Sequence, residues 1–253
     1  MTGTANVGLV QAVAAEAETR LELWASLLDR IGARTVAEIG VYRGAFAAHL
    51  LANCASIDAY YMVDPWRHLD DWNKPANRDD AAFERLFEQA MHSTRDHEAR
   101  RVVLRGRTTE VIDEIPDGSL DFAYVDGDHT LRGITVDLVR VYPKVRDGGF
   151  IGGDDFARSI WQHGAQFEPT LVFPFAVHFA EGVGSPIYGL PYGQFLIEKR
   201  ADLDFEFVDL TGKYSKLDLL SQLTSRRAPQ AGPTLAGRAL RRLRAARRGK
   251  DAP

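Results

Sequence analysis

The stretch that decides the fold covers residues 120–155, LDFAYVDGDHTLRGITVDLVRVYPKVRDGGFIGGDD. Its first six residues form an apolar run, which predicts a buried strand that ends at the acidic turn 126–129. Apolar residues at helical spacing follow over 131–145, and a second apolar pair, 150–151, comes after a glycine turn. The pattern predicts a strand, a crossover helix and a second strand that runs parallel to the first.

Three acidic residues follow the two strands of this unit. Because the carboxyl ends of parallel strands lie at one edge of a sheet, we expect Asp126, Asp154 and Asp155 to converge. Clustered carboxylates repel one another, and a divalent ion with oxygen ligands, such as Mg²⁺, removes that repulsion. His129 stands at the rim, where an imidazole can accept a proton near neutral pH. The alternative is that these residues only cap helices and shape turns.

Length and composition favour a single large domain. A chain of 253 residues can form a full α/β core, and its one cysteine, Cys54, excludes an internal disulfide and suits a reducing, cytoplasmic setting. The sequence has no apolar run long enough to span a bilayer and no basic leader typical of a signal peptide. A net charge of -4 argues against nucleic acid as the main partner.

The charge is distributed unevenly along the chain. From Arg226 onward there are nine basic residues and one acid, whereas the first 225 residues carry 22 basic and 34 acidic residues. We therefore expect an N-terminal helical segment over 1–32, the main α/β domain over 33–225 and a basic tail over 226–253. The arginine-rich tail could dock on a polyanion or an anionic membrane surface, or it could be a solvated tail without a chemical role.

A tight glycine loop follows the first predicted strand. In RTVAEIGVYRGAFAAHLLANC we expect a strand over 35–39, a loop from Gly40 to Gly44 and a helix over 45–53. Glycine lets the backbone approach a ligand closely, and Glu38 at the strand end can meet a cation or a hydroxyl. The spacing differs from the dinucleotide pattern G-x-G-x-x-G, which disfavours a nicotinamide dehydrogenase.

An acid also ends the second predicted strand, 59–63. Asp64 comes 24 positions after Gly40, where an acid can bond the ribose hydroxyls of a nucleotide-type cofactor. The alternative is a strand-terminating aspartate that starts a turn with Pro65.

Further alternation of strands and helices indicates the fold class. A third strand over 102–104 leads into a loop at 106–109 and a short helix, which together predict a doubly wound, mostly parallel α/β sheet. A long connection then precedes an antiparallel hairpin that turns at Pro191 to Gly193. Alternating residues over 205–210 predict one more strand.

Two flanking segments suggest contacts beyond the core. The segment 66–80 is polar, aromatic and irregular, so we expect either a lid or a plain surface loop. Within it, Trp66, His68 and Trp72 are candidate acceptor contacts. An N-terminal helix that ends at Gly32 packs either on the sheet or on a partner subunit, which leaves a homo-oligomer possible.

Four motifs together resemble a known family. EIGVYRG, Asp64, YVDGDH and GGDD are similar to class I S-adenosylmethionine-dependent methyltransferases. More narrowly they resemble the metal-dependent O-methyltransferases of natural-product sugars, such as the macrocin and mycinamicin enzymes. The resemblance covers roughly 21–199 and implies a seven-stranded Rossmann-like sheet with a C-terminal antiparallel hairpin. Catechol-type relatives carry lysine three residues after the first aspartate, whereas this chain has His129 there.

The resemblance also implies roles for individual residues. His129 would be the general base. Asp126, Asp154 and Asp155 would ligate the metal. S-adenosyl-L-methionine would be contacted by Glu38, Gly40, Gly44, Asp64, Arg107, Thr108 and Asp126. The loop at Arg107 and Thr108 departs from the usual pattern, in which an acid and a serine follow the glycine.

The predicted function is Mg²⁺-dependent methyl transfer from S-adenosylmethionine to a hydroxyl of a sugar or glycoside. A sugar hydroxyl loses its proton far above neutral pH, so a metal and a base are the chemistry that it needs. The acceptor would be a small molecule or an oligosaccharide. A catechol-like phenol or a hydroxylated antibiotic core remains an alternative acceptor, and a non-catalytic cofactor-binding or scaffold protein with a polyanion-docking tail is the alternative class.

Overall fold

The computed structural model describes residues 6–164, 166–214, 217–218, 220 and 223. The helices are α1 Val7–Glu16, α2 Arg20–Ile31, α3 Ala45–Asn53, α4 Asp80–Ser93, α5 Thr108–Val111, α6 Leu131–Val141 and α7 Val172–Gly182. The strands are β1 Thr35–Ile39, β2 Ala59–Asp64, β3 Arg101–Arg105, β4 Leu120–Val125, β5 Val145–Gly153, β6 Ile187–Leu190, β7 Gln194–Lys199 and β8 Phe207–Asp209. The predicted basic tail, 226–253, lies outside the described residues.

The strands form one sheet in the order β3-β2-β1-β4-β5-β7-β6-β8. β7 is antiparallel to both β5 and β6, and the other neighbouring strands are parallel. This confirms the doubly wound α/β fold with its C-terminal antiparallel hairpin. The predicted count of seven strands is wrong: the sheet has eight, because the short β8 pairs in parallel with β6 at its edge.

Element bounds agree best where apolar runs are continuous. β1, α3 and β4 begin and end where the sequence predicts them. β5 starts earlier than predicted, at Val145, because backbone pairing includes a polar stretch that interrupts the apolar run. The long connection predicted after Asp155 contains α7, which is apolar and has Pro174 in its first turn, where no intrahelical N–H bond is lost.

Two hydrophobic layers cover the two faces of the sheet. One layer contains residues from α1 to α4, and the other contains residues from α6 and α7. In the first layer, the fully buried Trp24 of α2 lies with its ring centroid 5.3 Å from that of Phe122. A Cβ on Gly152 would lie 2.3 Å from the Trp24 ring, so glycine makes this packing possible. The N-terminal helix therefore packs on the sheet, one of the two predicted alternatives.

Within the described part of the chain, none of the helices combines the length and apolar character needed to cross a bilayer.

Candidate functional site

A cavity of about 550 Å³ opens at the carboxyl ends of the parallel strands. It is lined by residues that end the five neighbouring parallel strands or follow them within two positions, namely Gly40, Asp64, Gly106, Asp126 and Asp155. The centre of the cavity lies where β1 and β4 are neighbours and the strand order reverses, which is where open α/β sheets bind ligands.

The loop after β1 touches the loop after β4 directly. Gly40 has a φ of 90°, and a Cβ there would lie 2.3 Å from the carbonyl oxygen of Asp126. Only glycine fits this position, because the neighbouring loop leaves no room for a side chain, while the predicted close approach to a ligand stays a prediction. Gly44 is different: it precedes α3, packs against Ala90 of α4 and is not among the residues that line the cavity.

Asp64 braces the first loop from the end of β2. Its Oδ2 accepts hydrogen bonds from the backbone N–H groups of Val41 and Tyr42, both at 2.9 Å, and its Oδ1 accepts one from Trp66 at 2.8 Å. Burial raises the pKa of Asp64, and the N–H bonds oppose that rise. These hydrogen bonds show that Asp64 stabilises the first loop. Asp64 also lines the cavity, so its contact with a ribose stays a prediction.

Glu38 lies beneath the cavity wall. It is 2% exposed and accepts a hydrogen bond from the hydroxyl of Tyr60 at 2.9 Å. Burial raises the pKa of Glu38 well above its usual range. Glu38 is not among the residues that line the cavity, so nothing in its placement supports the predicted cofactor contact.

An acid–imidazole cluster, formed by Asp126, His129 and Asp155, stands at the mouth of the cavity. Each residue offers a ligand atom, and these atoms all lie within 4.8 Å of one another. His129 Nδ1 forms an ion pair with Asp155, and His129 Nε2 lies 3.3 Å from Asp126 Oδ1. Burial would lower the pKa of His129, but the two carboxylates outweigh burial and raise that pKa to about 10.

Asp154 makes a different set of contacts. Its Oδ1 accepts hydrogen bonds from Gln194 Nε2 at 2.6 Å and from the N–H of Asp155 at 2.7 Å. Its Oδ2 is paired with the guanidinium of Arg20, which also lies 3.6 Å from Asp126 Oδ2. Burial and the charge of Asp126 raise the pKa of Asp154, whereas Arg20 lowers it. The three predicted metal ligands are neighbours, but Asp154 is bound to Arg20 and Gln194.

The acid–imidazole cluster fits a divalent ion with a hydroxyl beside it. The carboxylate oxygens of Asp126 and Asp155 lie within 4.8 Å of each other, close enough to share one ion. His129 Nε2 is buried and makes no hydrogen bond, although it lies 3.3 Å from Asp126 Oδ1. A buried polar atom without a hydrogen bond is costly, and a hydroxyl beside it would remove that cost.

Several residues of the segment 65–79 line the cavity, and ion pairs and hydrogen bonds anchor this segment. Asp71 accepts hydrogen bonds from Arg107 at 2.7 Å and from Arg132 of α6 at 2.8 Å. These two arginines lower the pKa of Asp71 to about 2. Trp72 donates from Nε1 to Asp128 at 3.0 Å. Asp71 and Trp72 also line the cavity, which is compatible with both predicted alternatives, a lid and a surface loop.

A buried lysine adds a further anchor to this segment. Lys74 donates from Nζ to the carbonyl oxygen of Glu168 at 2.9 Å and to the hydroxyl of Thr170 at 3.2 Å. Burial lowers the pKa of Lys74. The lysine joins the segment 65–79 to the connection before α7.

The three candidate acceptor contacts are placed in different environments. Trp66 is 1% exposed, packs against Phe87 and donates to the carbonyl oxygen of Tyr42, so it belongs to the core. His68 is bonded to the carbonyl oxygen of Arg78 and does not line the cavity. Trp72 does line it. The structure thus places one of the three where an acceptor contact is possible.

A hydrogen-bonded polar pair lines the cavity next to the loop after β3. Thr108 donates from its hydroxyl to Asp137 of α6 at 2.5 Å, and both residues line the cavity. Burial raises the pKa of Asp137 to about 7. The neighbouring Arg107 also lines the cavity, and its guanidinium pairs with Asp71.

Sequence reasoning missed four of the residues described above: Arg20, Lys74, Asp137 and Gln194. The sequence does contain a signal for Asp137: it is a charged residue on the apolar face of the crossover helix, between Ile134 and Leu138. The other three act through partners far away in the sequence.

Just under half of the chain matches a known protein family. Residues 37–156 match the family described as a methyltransferase domain. The resemblance to class I S-adenosylmethionine-dependent methyltransferases is thereby confirmed.

Particular relatives are distant. Among curated proteins, the chain is 24% identical over 181 residues to an uncharacterized protein, y4gI, of Sinorhizobium fredii. The match covers 64% of this chain but only 18% of that protein.

Solved structures share the fold at low sequence identity. An O-methyltransferase from Bacillus cereus, in complex with SAH, aligns with a TM-score of 0.52 at 15% identity, covering 78% of this chain and 92% of that one. The O-methyltransferase TomG from Streptomyces achromogenes, involved in tomaymycin synthesis, aligns with a TM-score of 0.50 at 13% identity, covering 79% and 91%. A provisionally named caffeoyl-CoA O-methyltransferase from Staphylococcus aureus gives 0.55 at 11% identity, covering 77% and 93%.

Proposed function

We propose that this protein transfers a methyl group from S-adenosylmethionine to a hydroxyl of a sugar or glycoside, with a divalent ion such as Mg²⁺ as cofactor. The observation that carries the proposal is the acid–imidazole cluster at the mouth of a cavity within a methyltransferase domain. A base and a cation site beside a cofactor cavity are what O-methylation of a weakly acidic alcohol requires.

The cavity supplies the binding part of the proposal. Its volume of about 550 Å³ lies in the range that small-molecule sites occupy. Gly40 would leave room for the ligand beside the backbone of the first loop, and Asp64 and Thr108 also line the cavity. S-adenosylmethionine, when bound, supplies an electrophilic methyl group. Residues of the segment 65–79 line the same cavity and would limit the access of water to that group.

The acid–imidazole cluster supplies the acceptor chemistry. Asp126 and Asp155 would hold the divalent ion, with Asp154 as a third ligand when it is released from Arg20. A divalent ion, when bound, lowers the pKa of an acceptor hydroxyl. His129 accepts the proton at Nε2, and its Nδ1 contact with Asp155 fixes the ring. Because Asp126 and Asp155 raise the pKa of His129, the base role requires a cation to match their charge.

The test is a methyl-transfer screen with labelled S-adenosylmethionine. Mono- and oligosaccharides are offered with and without Mg²⁺ after exhaustive chelation, and products are scored by mass shift. We expect transfer that is lost on chelation, restored by Mg²⁺ and abolished by Asp155→Ala and by His129→Ala. Asp70→Ala, at an exposed position in the segment 65–79, is the matched control. Full activity of the chelated protein, or of the Asp155→Ala variant, would falsify the metal-dependent proposal.

The same screen separates the acceptor classes. Catechols and hydroxylated antibiotic cores are included beside the sugars. Transfer to a phenol and not to any sugar would keep the methyltransferase and overturn the sugar acceptor.

A further inference from the structure

Arg20 is a cation at a position that its own helix disfavours. It is the first residue of α2, directly after the N-cap Thr19, whose hydroxyl accepts a hydrogen bond from the N–H of Glu22. The N-terminus of a helix carries a partial positive charge, so an acid such as Glu22 is favourable there and an arginine is not. The reason for an arginine at this position must lie outside the helix.

The contacts of Arg20 identify that reason. Its Nη1 forms a hydrogen-bonded ion pair with Asp154 and lies 3.6 Å from Asp126, so it bridges acids that follow β5 and β4. Its guanidinium carbon stands 6.0 Å from the ring centroid of Phe46. The side chain is 36% exposed, so it can withdraw from the acids toward solvent.

The other partner of Asp154 cannot move in the same way. Gln194 is fully buried, and its Oε1 accepts hydrogen bonds from Trp24 Nε1 at 2.8 Å and from the Tyr124 hydroxyl at 2.7 Å. Because both partners are donors, the amide has one orientation, with Nε2 directed at Asp154. Gln194 therefore holds the carboxylate of Asp154 in place, while Arg20 occupies its other oxygen.

We propose that Arg20 is an internal counterion that competes with the divalent ion for Asp154 and Asp126. In the metal-free protein, Arg20 neutralises the pair of acids, and binding of the ion requires the guanidinium to leave. This inference rests on the proposed function, because it assumes that these acids receive an ion. It adds that the start of α2 sets the affinity of the site for that ion.

The test measures Mn²⁺ binding to the full chain by isothermal titration calorimetry and by the loss of the free-ion electron paramagnetic resonance signal. Arg20→Met removes the competing charge and keeps the length of the side chain, so we expect its affinity for Mn²⁺ to rise at least about tenfold, as loss of one charge-assisted hydrogen bond implies. Arg20→Lys keeps the charge and should bind close to wild type. Arg30→Met, on the same helix but paired with Glu16, is the matched control and should not change.

The outcomes separate this inference from the proposed function. Equal affinities in wild type and Arg20→Met overturn the inference and leave the metal proposal standing. Binding by the variant but not by wild type supports the inference and shows that Arg20 holds the site against the metal. If neither protein binds Mn²⁺, both proposals are overturned. Should Arg20→Met fail to fold, as judged by circular dichroism, Arg20→Gln serves the same comparison.

Discussion

Asp137 makes the stability of this protein depend on pH in a way that one substitution should remove. The residue is 5% exposed, and its carboxylate accepts a hydrogen bond from Thr108 at 2.5 Å. Burial is the main cause that raises its pKa to about 7. In the unfolded chain an aspartate has a pKa of about 3.9. The perturbation that we propose is Asp137→Asn, which has nearly the same shape and cannot ionise.

The direction and size of the change in stability with pH follow from proton linkage. The folded protein holds the proton of Asp137 more tightly than the unfolded chain does, so its contribution to stability is fullest below about pH 4. That contribution falls as the pH rises toward the folded pKa and is lost above about pH 7. The pKa values of Asp137 in the folded and unfolded chain differ by roughly three, and each pKa unit corresponds to about 1.4 kcal/mol. The free energy of unfolding should therefore fall by about 4 kcal/mol between low and high pH.

The assay is urea unfolding of the metal-free wild type and of Asp137→Asn between about pH 4 and 8. We expect the stability difference, variant minus wild type, to rise by about 2 to 4 kcal/mol over this range. Any constant effect of the altered bond to Thr108 cancels in that change. Asp113→Asn is the control: Lys144 and Arg140 lower the pKa of Asp113, so this carboxyl titrates mostly below the assay range and its difference from wild type should stay flat. A difference between Asp137→Asn and wild type that stays flat with pH would refute the reasoning.

Three further substitutions test other parts of the site. Gly40→Ala places a Cβ 2.3 Å from the carbonyl oxygen of Asp126, so calorimetry should show S-adenosylhomocysteine binding weakened at least about tenfold; unchanged binding would mean that the two loops need not touch. Asp71→Asn removes exposed ion pairs that anchor the segment 65–79, so stability to urea should change little while proteolysis of that segment becomes faster; equal cleavage rates would contradict the anchoring role. Gln194→Met leaves the indole N–H of Trp24 and a tyrosine hydroxyl without an acceptor, so the free energy of unfolding in urea should fall by about 2 to 6 kcal/mol. A fall of less than about 1 kcal/mol would mean that these hydrogen bonds contribute little to stability.

The sequence predicted the parts of the fold that depend on local pattern. The apolar runs of β1 and β4 and the helical spacing of α3 determine those elements almost to the residue, because buried parallel strands need continuous apolar segments. β5 and α7 were harder. Arg146 and Asp147 lie at the exposed start of β5, where pairing rather than burial makes the strand. In α7 the apolar residues surround the helix too completely to show one face.

The site was predictable as a meeting of strand ends but not as an arrangement of side chains. Topology alone brings Asp126 and Asp155 to one edge of the sheet, as the parallel unit requires. The direction of Asp154 depends on Arg20 and Gln194, which lie 134 and 40 positions away along the chain. No local pattern marks such partners. The same holds for Trp66, whose burial follows from its packing on Phe87 of α4.

The backbone directly after β5 separates two adjacent acids. Both acids lie beyond Gly153, the last residue of β5, where the chain leaves the strand. Asp154 meets Arg20 on the α2 side, and Asp155, whose φ of 56° turns the chain, meets His129 beside α6. Asp126 stands between them, with one oxygen 3.6 Å from Arg20 and the other 3.3 Å from His129. A cation shared by all three acids therefore has to displace Arg20, whose guanidinium joins Asp154 and Asp126 in this structure.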